Sequence, residues 1–143
     1  MEFIKAEEFL GQPTEVQKVL LEWWKCDFGD LYVDNREYER DKYYCDINCV
    51  NMNLEGDIEG DWEYFKTIST PILTEGQLRK FIEDKSKCNN IEISGDIETG
   101  QYYADFYEEI YSGIEIDTIE NLGTDKFKAY WTLALIFVKE EIK

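Results

Sequence analysis

From Leu54 to Phe65 the chain reads LEGDIEGDWEYF, with Glu55, Asp57, Glu59, Asp61 and Glu63 at every second position. Carboxylates in such a row can hold a hard cation, work as an acid–base pair, or offer a line of negative charge to a basic partner. An EF-hand loop wants acids at positions 1, 3 and 5, glycine at 6 and glutamate at 12. Counted from Asp57, Glu59 and Asp61 fit, but Trp62 stands sixth and Ile68 twelfth. No dedicated metal site is expected.

Catalysis finds little to work with. The chain has no histidine, which removes the Ser-His-Asp triad, the Cys-His pair and the imidazole general base. Neither GxxxxGK[ST] nor GxGxxG occurs, so no phosphate-cradling loop is expected. With 32 acidic residues, carboxylate pairs arise by chance and none stands out. No catalytic residue and no cofactor is assigned. A small carboxylate- or metal-dependent hydrolase is the third reading.

The electrostatic use is more concrete. If Glu55–Glu63 is extended, its carboxylates recur about every 6.6–6.8 Å along one face. One strand of DNA carries a phosphate about every 3.4 Å, so the row has roughly half that density. A second acidic row would close the gap. Its candidates are Asp96 and Glu98 in the GDIETG turn, Asp105 and Glu109 on a long strand, and Glu115 and Asp117 after it. Against this, Gly56 and Gly60 also suit a loop of solvated acids.

In QYYADFYEEIY, strand alternation puts Tyr103, Asp105, Tyr107, Glu109 and Tyr111 on one side and Tyr102, Ala104, Phe106 and Ile110 on the other. The second side reads as core. The first is a tyrosine–acid ladder of the composition that protein interfaces favour, suited to arginine, which stacks on rings and binds carboxylates. Ordinary cross-strand pairing or a covering helix would produce the same pattern.

Composition sets the frame. At 143 residues, 43% hydrophobic and 15% aromatic, the chain suits one domain with a real core and is too apolar for a disordered acidic tail. A net charge of −17 argues against direct contact with nucleic acid or an anionic membrane and favours a basic partner. The start MEFIKAEEFL lacks a basic segment followed by a long apolar run, and Leu133–Val138 is too short to span a bilayer. A cytoplasmic protein is expected. Cys26, Cys45, Cys49 and Cys88 include no CxxC pair. In a strand, Cys45 and Cys49 would lie roughly 13 Å apart, too far for a disulfide or a shared metal.

The elements that must position these residues follow from periodicity. A short helix over Glu2–Leu10 ends at Gly11. In PTEVQKVLLEWWK, the residues Val16, Val19, Leu20, Trp23 and Trp24 form a helical stripe. LYV, YYCDINCV and WEYFKTIS read as strands. TEGQLRKFIEDK is a helix with Thr74 and Gln77 in capping-box positions and Leu78, Phe81 and Ile82 inward. IEIS, QYYADFYEEIY and IEIDTI form a meander, and DKFKAYWTLALIFVKEEI a long helix with Phe127, Trp131, Ala134 and Val138 inside. The order predicts an α+β domain over residues 1–143. Five to six antiparallel strands in two hairpin or meander groups would pack on three to four helices.

Three stretches, EVQKVLLEWWKCDFGDLYVDN, ILTEGQLRKFIEDK and DKFKAYWTLALIFVKEEIK, resemble a family of small acidic proteins carried by phages and prophages of Gram-positive bacteria. The resemblance lies mostly in helices, so it implies a fold and no activity. By analogy with anti-CRISPR and DNA-mimic proteins, it suggests an inhibitor that binds a basic nucleic-acid-handling host protein, such as a CRISPR effector nuclease. An accessory phage protein that sequesters a small ligand or self-assembles is the alternative. An apolar pocket with Lys or Arg at its mouth would favour it.

Overall fold

Apolar residues three and four apart make helices here, and alternation makes strands, but the short elements are settled by what they must touch. The computed structural model describes residues 2–42, 45–51, 62–108 and 115–143. They form six helices and two three-stranded antiparallel sheets, an α+β architecture. Three of the helices are substantial. The contacts gather into two compact units, Phe3–Leu73 and Thr74–Lys143 with Glu2.

The N-terminal unit holds α1 (Ala6–Leu10), α2 (Thr14–Trp23), β1 (Leu31–Asp34), α3 (Asn35–Arg40), β2 (Ile47–Cys49), α4 (Trp62–Thr67) and β3 (Ser69–Pro71). Its sheet runs β2-β1-β3, with Val33 opposite Ile47 on one side and Thr70 on the other. Each face of this sheet has its own core. Tyr32 packs against a cluster of Trp24, Cys26, Val50 and Phe65, whereas Val33 joins Ala6 and Ile72. From α2, Val16 and Leu20 are buried. Trp24 leaves the helix in an extended conformation, yet its amide still donates to the Leu20 carbonyl at 3.0 Å. That turn-out lets the indole reach Phe65, 5.7 Å away between ring centres.

The stretch WEYFKTIS is not one strand. Residues 62–67 are α4 and only Ser69–Pro71 is extended. A helix brings Trp62 and Phe65 onto one side at i and i+3, and their rings meet edge-on at 5.5 Å. A strand would have pointed them to opposite faces. Glu63 therefore lies in the first turn of α4, not in an extended acidic row. The strand expected over YYCDINCV is confined to Ile47–Cys49 within the described residues. The helix α3, which periodicity does not announce, is nucleated by Asp34. Its carboxylate accepts from the Arg36 amide at 2.9 Å and from the Arg36 guanidinium at 3.1 and 2.8 Å.

The C-terminal unit holds α5 (Glu75–Ser86), β4 (Ile91–Gly95), β5 (Tyr102–Tyr107), β6 (Glu115–Ile119) and α6 (Lys126–Ile142). Both halves of the capping box are present at α5. Thr74 Oγ1 accepts from the Gln77 amide, and Gln77 Oε1 accepts from the Thr74 amide at 3.0 Å. The meander runs β4-β5-β6. From α6, Phe127, Trp131, Ala134 and Val138 are buried as the stripe predicts, with Tyr130 and Leu133 beside them. Phe106 of β5 meets Phe137 of α6 at 5.9 Å, so the Ala104–Phe106 side of the sheet faces this helix.

Candidate functional site

The predicted site residues fall in three places. Glu55, Asp57, Glu59, Asp61 and Glu109 lie outside the described residues. Glu63 belongs to the N-terminal unit. Asp96, Glu98, Tyr103, Asp105 and Tyr107 are brought together on the β4–β5 hairpin of the C-terminal unit.

Alternation along β5 separates its side chains as expected. Ala104 and Phe106 are buried, while Tyr103, Asp105 and Tyr107 are half-buried on the opposite face. Register extends this face sideways. Ser94 lies opposite Tyr103, Glu92 opposite Asp105, and Thr118 opposite Asp105 on the other flank. Residues paired across antiparallel strands share a face with their Cβ atoms about 4.5–5.5 Å apart. Glu92, Asp105 and Thr118 thus form one row across the sheet. Thr118 Oγ1 donates to Asp105 Oδ1 at 2.8 Å, holding one carboxylate beside the other.

The hairpin tip uses one of its acids for its own construction. Asp96 Oδ1 accepts from the amides of Glu98 at 2.8 Å and Thr99 at 3.2 Å. Gly100, at φ +74°, closes the turn by donating to the Asp96 carbonyl. Asp96 is therefore a turn-former, whereas Glu98 is exposed beside a fully exposed Ile97. Asp117 is similarly engaged, accepting from the Thr118 amide at 2.8 Å.

Glu92 is the residue that sequence reasoning passed over, and a signal for it existed. No lysine or arginine occurs from Cys88 to Asp125. All three strands of the second sheet lie inside that run, so the sheet supplies no cation to its own carboxylates. The ion pairs Arg79–Glu83, Lys80–Asp84 and Lys85–Glu141 are made by α5 and α6 instead.

The perturbed groups of the N-terminal unit serve packing. Asp30 Oδ2 accepts from Trp24 Nε1 at 2.8 Å and from the Asp27 amide at 3.0 Å. Burial raises its pKa, and those two hydrogen bonds oppose the rise. The Cys26 thiol is pushed up to about 11, chiefly by burial. Asp34 is held below the ordinary carboxylate value, first by its side-chain hydrogen bond to Arg36. All four cysteines are free thiols. Among the described residues no group of three or more Asp, Glu or Cys side chains is arranged to hold a metal ion, and no helix is long and apolar enough to cross a membrane. Comparison of the chain with known protein families, with curated proteins and with solved structures finds no match.

Proposed function

We propose that this chain is a phage-type inhibitor that binds a basic, nucleic-acid-handling host defence protein, a CRISPR effector nuclease being the case considered, and occupies its nucleic-acid groove. The observation that supports this most is the base-free meander. A three-stranded sheet carries Glu92 and Asp105 side by side with Tyr103 and Tyr107 in the same face, and no Lys or Arg stands between Cys88 and Asp125. Like charges placed opposite one another cost stability in a sheet. A basic partner removes that cost on binding, and its arginines find carboxylates and rings together. The net charge of −17 steers such a partner from a distance.

The test is capture of partners from a CRISPR-bearing Gram-positive lysate, with nucleic-acid competition and a salt series. The captured protein should be basic. Competing DNA or RNA should release it, as should raising salt from about 50 to about 500 mM, which shortens the Debye length from roughly 14 to 4 Å. The double variant Glu92→Lys/Asp105→Lys should lose it. Capture indifferent to salt, to nucleic acid and to that variant would remove the reading.

A further inference from the structure

The two edges of the second sheet are finished differently. Antiparallel strands alternate between residues that bond across the pair and residues whose backbone groups point away. On β4 both ends of the ladder fix this alternation. The Tyr107 amide donates to the Asn90 carbonyl at 2.9 Å, and the Asp96 amide to the Gln101 carbonyl at 2.8 Å. Glu92, opposite Asp105, and Ser94, opposite Tyr103, therefore bond to β5, while Ile91, Ile93 and Gly95 turn outward. Arg79 Nη2 donates to the Ile91 carbonyl at 3.3 Å. Among the described residues, the N–H and C=O of Ile93 and Gly95 have no hydrogen-bond partner. On β6, by contrast, the outward Thr118 amide donates to the Asp117 carboxylate at 2.8 Å. One edge is closed by its own side chain and the other is open.

We propose that the β4 edge takes an extended, arginine-bearing segment of a protein partner as a fourth, antiparallel strand. This rests on the partner reading above for the charge of the partner and adds how it docks. An open edge is a template for any strand, so the side chains beside it select the occupant. A residue opposite Ile93 exchanges both backbone bonds with it and lies on the Ala104 side of the sheet. Its two neighbours stand opposite Glu92 and Ser94, on the side of Asp105. Arginine at those positions meets the Glu92–Asp105 row, with the exposed Glu98 at the hairpin tip. The cations at the Ile91 end do not cancel this charge. Arg79 is paired with Glu83 at 3.2 Å, and the exposed Lys87, in the link from α5, is outnumbered by Glu92, Asp96, Glu98 and Asp105. A second copy of this chain is a poor occupant, because it brings its own net charge of −17 against Glu92.

The test is NMR and amide hydrogen exchange of the 15N-labelled chain with a blocked heptapeptide that alternates arginine and valine. In the free chain the Ile93 and Gly95 amides should exchange fast and the Glu92 and Ser94 amides slowly. Saturating peptide should slow Ile93 and Gly95 by at least about tenfold. N-methylation of the valine amides, which face β4 in this register, should weaken binding at least about tenfold. N-methylation of the arginine amides, which face away and leave the charge unchanged, should not. Glutamate in place of arginine should abolish binding, and Glu92→Gln should weaken it severalfold. Equal effects of the two methylations, shifts spread over the acidic surface without protection of Ile93 and Gly95, or no saturation would overturn the proposal. So would protection of these amides in the free chain that grows with its concentration, which would assign the edge to a second copy. Binding by charge alone would end the strand-addition mode and leave the partner reading standing; edge protection by the peptide with no basic protein captured from lysate would do the reverse.

Discussion

Thr118 and Asp105 lie directly opposite each other on β6 and β5, and the threonine hydroxyl donates to the carboxylate at 2.8 Å. On its other flank Asp105 faces Glu92. One neighbour stabilises the charge and the other opposes it. Thr118→Val should therefore lower stability by about 1 kcal/mol, the usual net worth of such a bond. Glu92→Thr should raise it by about 0.2–1 kcal/mol by removing a like-charge neighbour. Urea midpoints at constant m-value check both signs. A fall in stability on replacing Glu92 would mean that this carboxylate is stabilised by something other than the sheet.

The legible parts of this fold are those whose local signal and tertiary role agree. Thr74 and Gln77 sit at cap spacing and make the cap. Ala104 and Phe106 alternate with Tyr103 and Asp105 and take opposite faces. The unread parts are those where packing overrode pattern. Trp62 and Tyr64 share a parity that reads as strand, but the pair that matters is Trp62 with Phe65, which only a helical turn unites. Asp96 read as surface charge because composition cannot show a carboxylate closing its own turn. Glu92 was hidden differently. It lies in the four-residue IEIS, while the absence of bases that gives it meaning spans Cys88–Asp125.

Two aspartates of the N-terminal unit should give opposite pH dependences. The Asp30 carboxyl titrates above its ordinary 3.8 because burial disfavours its charge. The folded chain thus holds this proton more tightly than the unfolded one, and the contribution falls as pH rises from 3.8 through the folded value. The Asp34 carboxyl titrates below 3.8, so its contribution is present above that pH and is lost as pH falls through the folded value. Asp30→Asn keeps an acceptor for Trp24 and should reduce the loss of stability on going from about pH 4 to pH 7. Asp34→Asn should reduce the loss on going down to about pH 2. Urea midpoints across that range separate them, and equal effects of the two variants would contradict the assigned causes.

Thiol reactivity should follow burial. Cys49 is exposed, whereas Cys26 is buried with its pKa pushed up to about 11. At pH 8 only about one Cys26 in a thousand carries the reactive thiolate, and burial blocks the reagent as well. Titration with an aromatic disulfide reagent, read by mass spectrometry of peptides, should modify Cys49 promptly. Cys26 should be modified only at the rate of unfolding. Rapid labelling of Cys26 without denaturant would show that the Trp24–Phe65 cluster opens locally.

Lys87 ends α5 in the left-handed region, at φ 58° and ψ 31°. A residue with a Cβ is strained there, and glycine is not. Nothing about a lysine at this position requires that conformation; the chain needs the turn to carry α5 into β4, which starts at Ile91. Lys87→Gly removes the steric cost in the folded state but adds freedom to the unfolded one, so the two terms oppose each other. The left-handed cost of about 1–2 kcal/mol exceeds the entropy term of about 0.4–1 kcal/mol. A net gain is expected, seen as a higher melting temperature. Lys87→Ala keeps the Cβ and serves as control for the lost charge. If alanine raises the melting temperature as much as glycine, the gain comes from charge and the left-handed strain is not its source.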